Sequence, residues 1–229
     1  METKICGLTR LSDLRVAERA GADYLGMIVE VHRSPRCLAL ATARLLARGT
    51  RGRVVPVIAD APVAHAVEIA AATKAFALQL HGSETTEHIA ELRAVLSAGV
   101  ALWRALALPR EVSDAERETV GADALAQITR FAEVGVARIV LDSRVQGVSG
   151  GTGVTCDWSV AAQVVAGSPL PVMLAGGITP QNVREAIMAV RPVGVDVSSG
   201  VERAPGIKDP AGIVSVIAQA QAASFEVEV

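Results

Sequence analysis

Short apolar runs rich in β-branched residues alternate with longer Ala-, Leu-, Glu- and Arg-rich stretches along the whole chain. The short runs have strand length and the long ones repeat with helical period. Strands are expected near residues 3–8, 22–29, 53–59, 75–81, 100–107, 137–142, 171–175 and 194–198. Helices are expected near 11–20, 39–48, 62–73, 84–98, 112–134, 157–166, 179–190 and 209–222. Ser83, Thr179-Pro180 and Asp209-Pro210 carry the residues that start helices. Runs such as Ala137–Leu141 are apolar on both faces, as a parallel sheet covered by helices requires. No linker or low-complexity stretch divides the eight strand–helix repeats. They point to one α/β domain over residues 1–229, a single (β/α)8 TIM barrel. A doubly wound sheet is the alternative, but no strand leads into a GxGxxG turn.

Composition narrows the partners. With 51% apolar residues the chain can fill a large core. A net charge of −2 and 3% aromatic residues offer neither the basic excess nor the stacking rings of a nucleic-acid binder. No apolar run has membrane-spanning length, and Met1–Lys4 leads straight into a strand rather than a signal peptide. The three cysteines, Cys6, Cys37 and Cys156, have neither disulfide nor zinc spacing, which suits a reducing cytoplasm. His32, His65 and His88 show no ligand spacing, so no metal is inferred. A monomer and a homodimer are both open.

In a barrel, chemistry collects at the C-terminal strand ends. There the sequence places Cys6, Glu30, Asp60, His81, Arg104, Asp142, Gly176-Gly177 and Ser198-Ser199-Gly200, whereas the strand starts are bland. Cys6 is either a small buried hydrophobe or, if its pKa is lowered, a base or nucleophile. Asp142 is either a loop cap or a general acid whose pKa partial burial raises. Cys37 and Cys156 look inert, and His81 reads as a structural, hydrogen-bonded histidine. Gly150–Gly153, containing Gly151, is followed by Gly176-Gly177 and Ser198–Gly200 in the next two repeats. Exposed backbone N–H groups at such loops suit a phosphate monoester. Ser34-Pro35-Arg36 forms a proline-stiffened turn that presents a guanidinium to a carboxylate or phosphate.

A set of motifs then falls in a recognisable order. It runs Lys4-Ile5-Cys6-Gly7-Leu8-Thr9, Ser34-Pro35-Arg36, Gln79–Glu84, Leu141-Asp142-Ser143 and Gly150–Gly153 with Asp157-Trp158. Leu174–Gly177, Val195–Glu202 and Pro205–Asp209 complete it. Together they resemble phosphoribosylanthranilate isomerase of tryptophan biosynthesis over nearly the whole chain. The resemblance implies a cofactor-free barrel that carries out an Amadori rearrangement of N-(5′-phosphoribosyl)anthranilate. It implies Cys6 as general base, Asp142 as general acid and Arg36 as holder of the anthranilate carboxylate. It also implies that Gly151, Gly176, Gly177, Ser198, Ser199 and Gly200 cradle the phosphate. Two stretches depart from the family pattern: Glu30–Arg33, where an aromatic residue is usual, and Asp60, where asparagine is common. Two acids at the ring end would oppose a substrate carboxylate unless Arg33 or Arg104 neutralises them. A paralogous isomerase of a related aminated phosphosugar and a non-catalytic phosphate-binding barrel are the rival readings. Thiamine-phosphate synthase shares the late glycines but not Cys6 or the Ser-Pro-Arg turn.

Overall fold

The computed structural model describes residues 1–142 and 156–227, with side chains as far as residue 223. The expected alternation is present. The chain runs β1 (Glu2–Ile5), α1 (Leu11–Ala20), β2 (Tyr24–Val29), β3 (Cys37–Leu38), α2 (Leu40–Arg48), β4 (Arg53–Ile58) and α3 (Val63–Thr73). It continues β5 (Ala77–Leu80), α4 (Thr86–Val95), β6 (Ala101–Ala107), α5 (Arg117–Glu133) and β7 (Val136–Asp142). It ends α6 (Trp158–Gly167), β8 (Val172–Leu174), α7 (Val183–Val190), β9 (Gly194–Val197), β10 (Glu202–Ala204), β11 (Ile207–Lys208) and α8 (Pro210–Val227).

Eight parallel strands follow the order β1-β9-β8-β7-β6-β5-β4-β2, and the β1–β2 pairing closes the barrel. Closure leaves no strand edge for a ninth barrel strand. The two-residue β3 instead lies outside, pairing Cys37 and Leu38 with Ile28 and Val29 of β2. β10 and β11 form a separate antiparallel hairpin at the mouth. Neither of these small elements was expected from sequence, being too short to show a period.

Apolar side chains fill two shells. Leucine, isoleucine and valine pack between strands and helices in one extensive cluster. Tyr24, Val55, Ala77, Trp103, Val140, Met173 and Ala175 fill the barrel interior. The strand starts are not bland. Tyr24 and Trp103 meet edge to face with centroids 4.8 Å apart, and the Arg138 guanidinium lies 4.7 Å from the Trp103 ring centre. Glu2 pairs with Arg138 and accepts the Tyr24 hydroxyl at 2.8 Å. This cation–π stack stiffens the face away from the chemistry.

Two helix starts also differ from expectation. The cap of α4 is Thr85, which accepts the His88 amide at 3.3 Å, because the Ser83 amide is drawn to the Asp60 carboxylate at 2.5 Å. Thr179-Pro180 sits in a turn before α7, closed by the Thr179 amide on Asn182 Oδ1 at 2.8 Å. Pro210 does open α8.

Candidate active site

β1 and β7 stand three strand positions apart around the ring, so Cys6 and Asp142 address one mouth from different sides. Cys6 follows β1 and is 7% exposed; its amide donates to the Val197 carbonyl at 2.8 Å. Gly26 on β2 makes room for it: a Cβ there would sit 2.9 Å from both Cα and Sγ of Cys6. The thiol shows no lowering. Burial pushes it up, and the nearby Lys4 ammonium opposes that rise. Asp142, the last residue of β7, is 5% exposed. Its Oδ2 lies 3.6 Å from His81 Nε2, close enough for a charge interaction but longer than a hydrogen bond. Gln79 in turn lies 3.4 Å from His81 Nδ1. His81 is thus a hydrogen-bonded histidine at the edge of the site. Cys156 is buried, and burial pushes its thiol up to about 12.

The polar groups under the mouth were missed. Lys4 on β1 and Asp196 on β9 are register partners, and their side chains meet at 2.6 Å inside the barrel. Gln79 on β5 accepts a second Lys4 hydrogen bond at 2.9 Å. All three lay inside quoted motifs. The available signal was that Lys4 precedes Cys6 by two residues, so both share the inward face of one strand.

Arg36 is not a surface arginine. It is 3% exposed and pairs bidentately with Glu202, Nε to Oε1 at 2.8 Å and Nη2 to Oε2 at 2.6 Å. Lys208 Nζ reaches the same Oε1 and the Ser198 carbonyl, each at 2.9 Å. Burial works to raise the Glu202 carboxyl, but hydrogen bonds from Arg36 and the charge of Lys208 win and lower it. Glu202 occupies only one edge of the guanidinium. The other edge, Nη1 with the second hydrogen of Nη2, takes no protein partner among the described residues.

The phosphate-type loops come together. Gly176 and Gly177 are both left-handed, with φ of 78° and 67°, a turn that side chains resist. Asn182 Nδ2 holds the Gly177 carbonyl at 3.0 Å. Ser199–Val201 forms a 3-10 turn that packs on this loop so closely that a Cβ on Gly200 would lie 1.9 Å from the Ile178 carbonyl oxygen. Ser198, Ser199 and Gly200 are half-buried. Gly151, with the rest of Gly150–Gly153, lies outside the described residues.

The two unexpected acids are already occupied. Glu30 pairs with His65 at 2.5 Å, which lowers the carboxyl and raises the imidazole. Asp60 caps Ser83, while Arg104 is spent on Glu84 at 3.0 Å and on the Leu80 and Gly82 carbonyls. Glu30 is thus partnered by His65, not by Arg33 or Arg104. Among the described residues no cluster of His, Cys, Asp and Glu is placed to hold a metal, and no helix is long and apolar enough to cross a membrane.

Comparisons with known proteins point to one family. Residues 3–219 match the family model described as N-(5′-phosphoribosyl)anthranilate (PRA) isomerase. The N-(5′-phosphoribosyl)anthranilate isomerase of Myxococcus xanthus is 42% identical over 213 residues, covering 91% of each chain. That of Methanothrix thermoacetophila is 38% identical, covering 90% of this chain and 91% of its own. The isomerase structure from Pyrococcus furiosus superposes with a TM-score of 0.81 at 29% identity, over 97% of this chain and 99% of that one. Another isomerase structure, TM-score 0.77 at 29% identity and the same coverage, is a complex with reduced 1-(o-carboxyphenylamino)-1-deoxyribulose 5-phosphate.

Proposed function

This chain belongs to the N-(5′-phosphoribosyl)anthranilate isomerase family, and we propose that Cys6 and Asp142 carry its proton transfers, as base and acid. It is an isomerase of tryptophan biosynthesis. Its substrate is N-(5′-phosphoribosyl)anthranilate, and its product the isomeric ketone 1-(o-carboxyphenylamino)-1-deoxyribulose 5-phosphate. The observation that carries the roles is the placement of two buried proton-bearing side chains on separated strand ends of one mouth.

Asp142 delivers a proton to the furanose ring oxygen as the ring opens. The C1′–N bond becomes a Schiff base, which makes the C2′ hydrogen acidic. The Cys6 thiolate removes that proton, and the enolamine left behind tautomerises to the ketone. Each positioned transfer contributes about 10²–10⁴ in rate. Burial of both groups keeps water from competing for the protons.

Binding follows from the remaining geometry. The Gly176-Gly177 turn and the Ser198–Gly200 turn offer amides and hydroxyls to the phosphate, with Gly151 assigned there from sequence. Arg36 offers its unoccupied edge to the aryl carboxylate while Glu202 holds the other. A monomer or a homodimer is compatible with this site. The closed ring supports one domain over residues 1–229. A working thiol is kept free in a reducing compartment, which supports the cytoplasm.

Two measurements test the activity. The gene is to restore growth without tryptophan to a bacterium lacking this isomerase, and the purified protein is to turn over N-(5′-phosphoribosyl)anthranilate. Failure of both, with a folded protein, overturns the reading.

A further inference from the structure

We propose that Lys4 is a positioning residue for the proton-abstracting thiol: its buried ammonium, clamped between Asp196 and Gln79, faces Cys6 and holds the thiolate that takes the substrate proton. The proposal rests on the reading of Cys6 as the base. Lys4 is 0% exposed in a barrel interior otherwise filled by Tyr24, Val55, Trp103, Val140 and Met173. An ammonium in such a place is costly unless paired, and apolar side chains fill the neighbouring layer without it. The pair therefore calls for a reason beyond packing.

The reason lies two residues along β1. Lys4 and Cys6 stand two residues apart on the inward face of β1, so the ammonium, held by the Asp196 carboxylate at 2.6 Å, lies beside the Cys6 sulfur. Four charged groups face the thiol: Lys4 from β1, Asp196 from β9, Lys208 from β11 and Arg36 from the loop after β2. Ile28 and Val57 supply the apolar contact from β2 and β4. Burial raises the thiol, Lys4 gives the largest opposing effect, and Asp196 adds to the rise. Asp196 thus does two opposite things: it keeps Lys4 protonated, and it draws the ammonium away from sulfur. During turnover the thiolate becomes a thiol by gaining the C2′ proton, and Lys4 stays an ammonium throughout.

The test titrates the thiol itself. Alkylation of Cys6 by iodoacetamide is followed against pH by peptide mass spectrometry on the full-length, ligand-free protein, alongside kcat/KM against pH. Lys4→Met is expected to move the thiol midpoint alkaline by about one pH unit or more, hence at least about tenfold less thiolate at neutral pH. Asp196→Asn is expected to move it the other way. Should Lys4→Met fail to fold, the charge-neutral double variant Lys4→Met/Asp196→Asn serves, with a midpoint still alkaline of wild type. A merely structural lysine would lower stability without these opposed shifts. A wild-type midpoint in both lysine variants, or shifts of the same sign for Lys4→Met and Asp196→Asn, overturns the proposal. If the thiol midpoint moves as expected and the acidic limb of kcat/KM stays put, Lys4 does tune the thiol, and the assignment of Cys6 as base is what falls.

Discussion

Glu202 ties the Arg36 turn, the β10–β11 hairpin and the Ser198 turn into one buried junction, so neutralising it has a calculable cost. Glu202→Gln keeps the side chain's shape and one acceptor oxygen. It leaves the Arg36 guanidinium and the Lys208 ammonium, 3% and 0% exposed, without their shared carboxylate. Removing one partner of a buried ion pair costs about 3–5 kcal/mol, and the retained amide oxygen places this change near the lower end, about 3 kcal/mol. For a chain of 229 residues that corresponds to a melting temperature lower by about 6–12 °C. Arg203, 67% exposed and paired with Asp209 on the same hairpin, is the control: Arg203→Ala is expected to cost under about 1 kcal/mol.

The pH dependence gives the sign. The Glu202 carboxyl is lowered in the folded protein, because Arg36 and Lys208 outweigh the burial that raises it. Its contribution is therefore full above the ordinary carboxylate range and is lost as pH falls through the lowered folded value. Calorimetric melting of wild type and Glu202→Gln is expected to show its largest gap near neutral pH and a closing gap in acid. KM for the carboxylate-bearing substrate is expected to rise, because Arg36 loses its anchor. A melting shift under about 2 °C at neutral pH, or a gap that widens in acid, refutes the junction as described.

Three further outcomes are expected. Cys6→Ala and Asp142→Asn should each cut kcat by at least about 10² with little change in KM, read by steady-state kinetics; a normal kcat in either removes that residue from the mechanism. Gly177→Asp should abolish phosphate-dependent binding measured by calorimetry, since the left-handed backbone and the phosphate charge both oppose an aspartate there; near-normal affinity would move the phosphate elsewhere. Arg36→Ala should weaken the anthranilate substrate about ten- to a hundredfold and leave a decarboxylated analogue nearly unchanged; equal losses for both would mean that Arg36 acts only through Glu202.

The barrel was legible because its signal is local: every strand–helix repeat carries its own period and its own polar strand end. Cys6, Asp142, Gly176-Gly177 and Ser198–Gly200 all fell at the mouth for that reason. What the sequence hid depends on contacts between distant strands. Lys4 meets Asp196 only because β1 pairs with β9, 192 residues apart. Tyr24, Arg53, Phe76, Trp103 and Arg138 form the opposite face's stack only once separate strands close into a ring. Ser83 reads as a cap until the Asp60 carboxylate, 23 residues away, takes its amide. Arg36 reads as exposed because its partner Glu202 lies 166 residues downstream.

The charge arrangement around Cys6 explains why a barrel mouth suited to two anions also suits a thiolate. Lys4, Arg36 and Lys208 outnumber Asp196 and Glu202 by one positive charge. Each carboxylate is shared or clamped: Glu202 by two cations, and Asp196, among the described residues, by Lys4. With Cys6 as a thiol the cluster carries a surplus cation, which favours an incoming phosphate and carboxylate at short range. With Cys6 as a thiolate the cluster is balanced, so the base forms without leaving an uncompensated buried anion. Gly26 and Gly7 make this possible sterically, the first by admitting the Cys6 sulfur and the second by admitting the Arg36 side chain, whose Cδ a Cβ on Gly7 would meet at 2.5 Å. A glycine on β2 and another just after β1 thus serve the same end as the charges, bringing cation and sulfur within range inside a wall that excludes water.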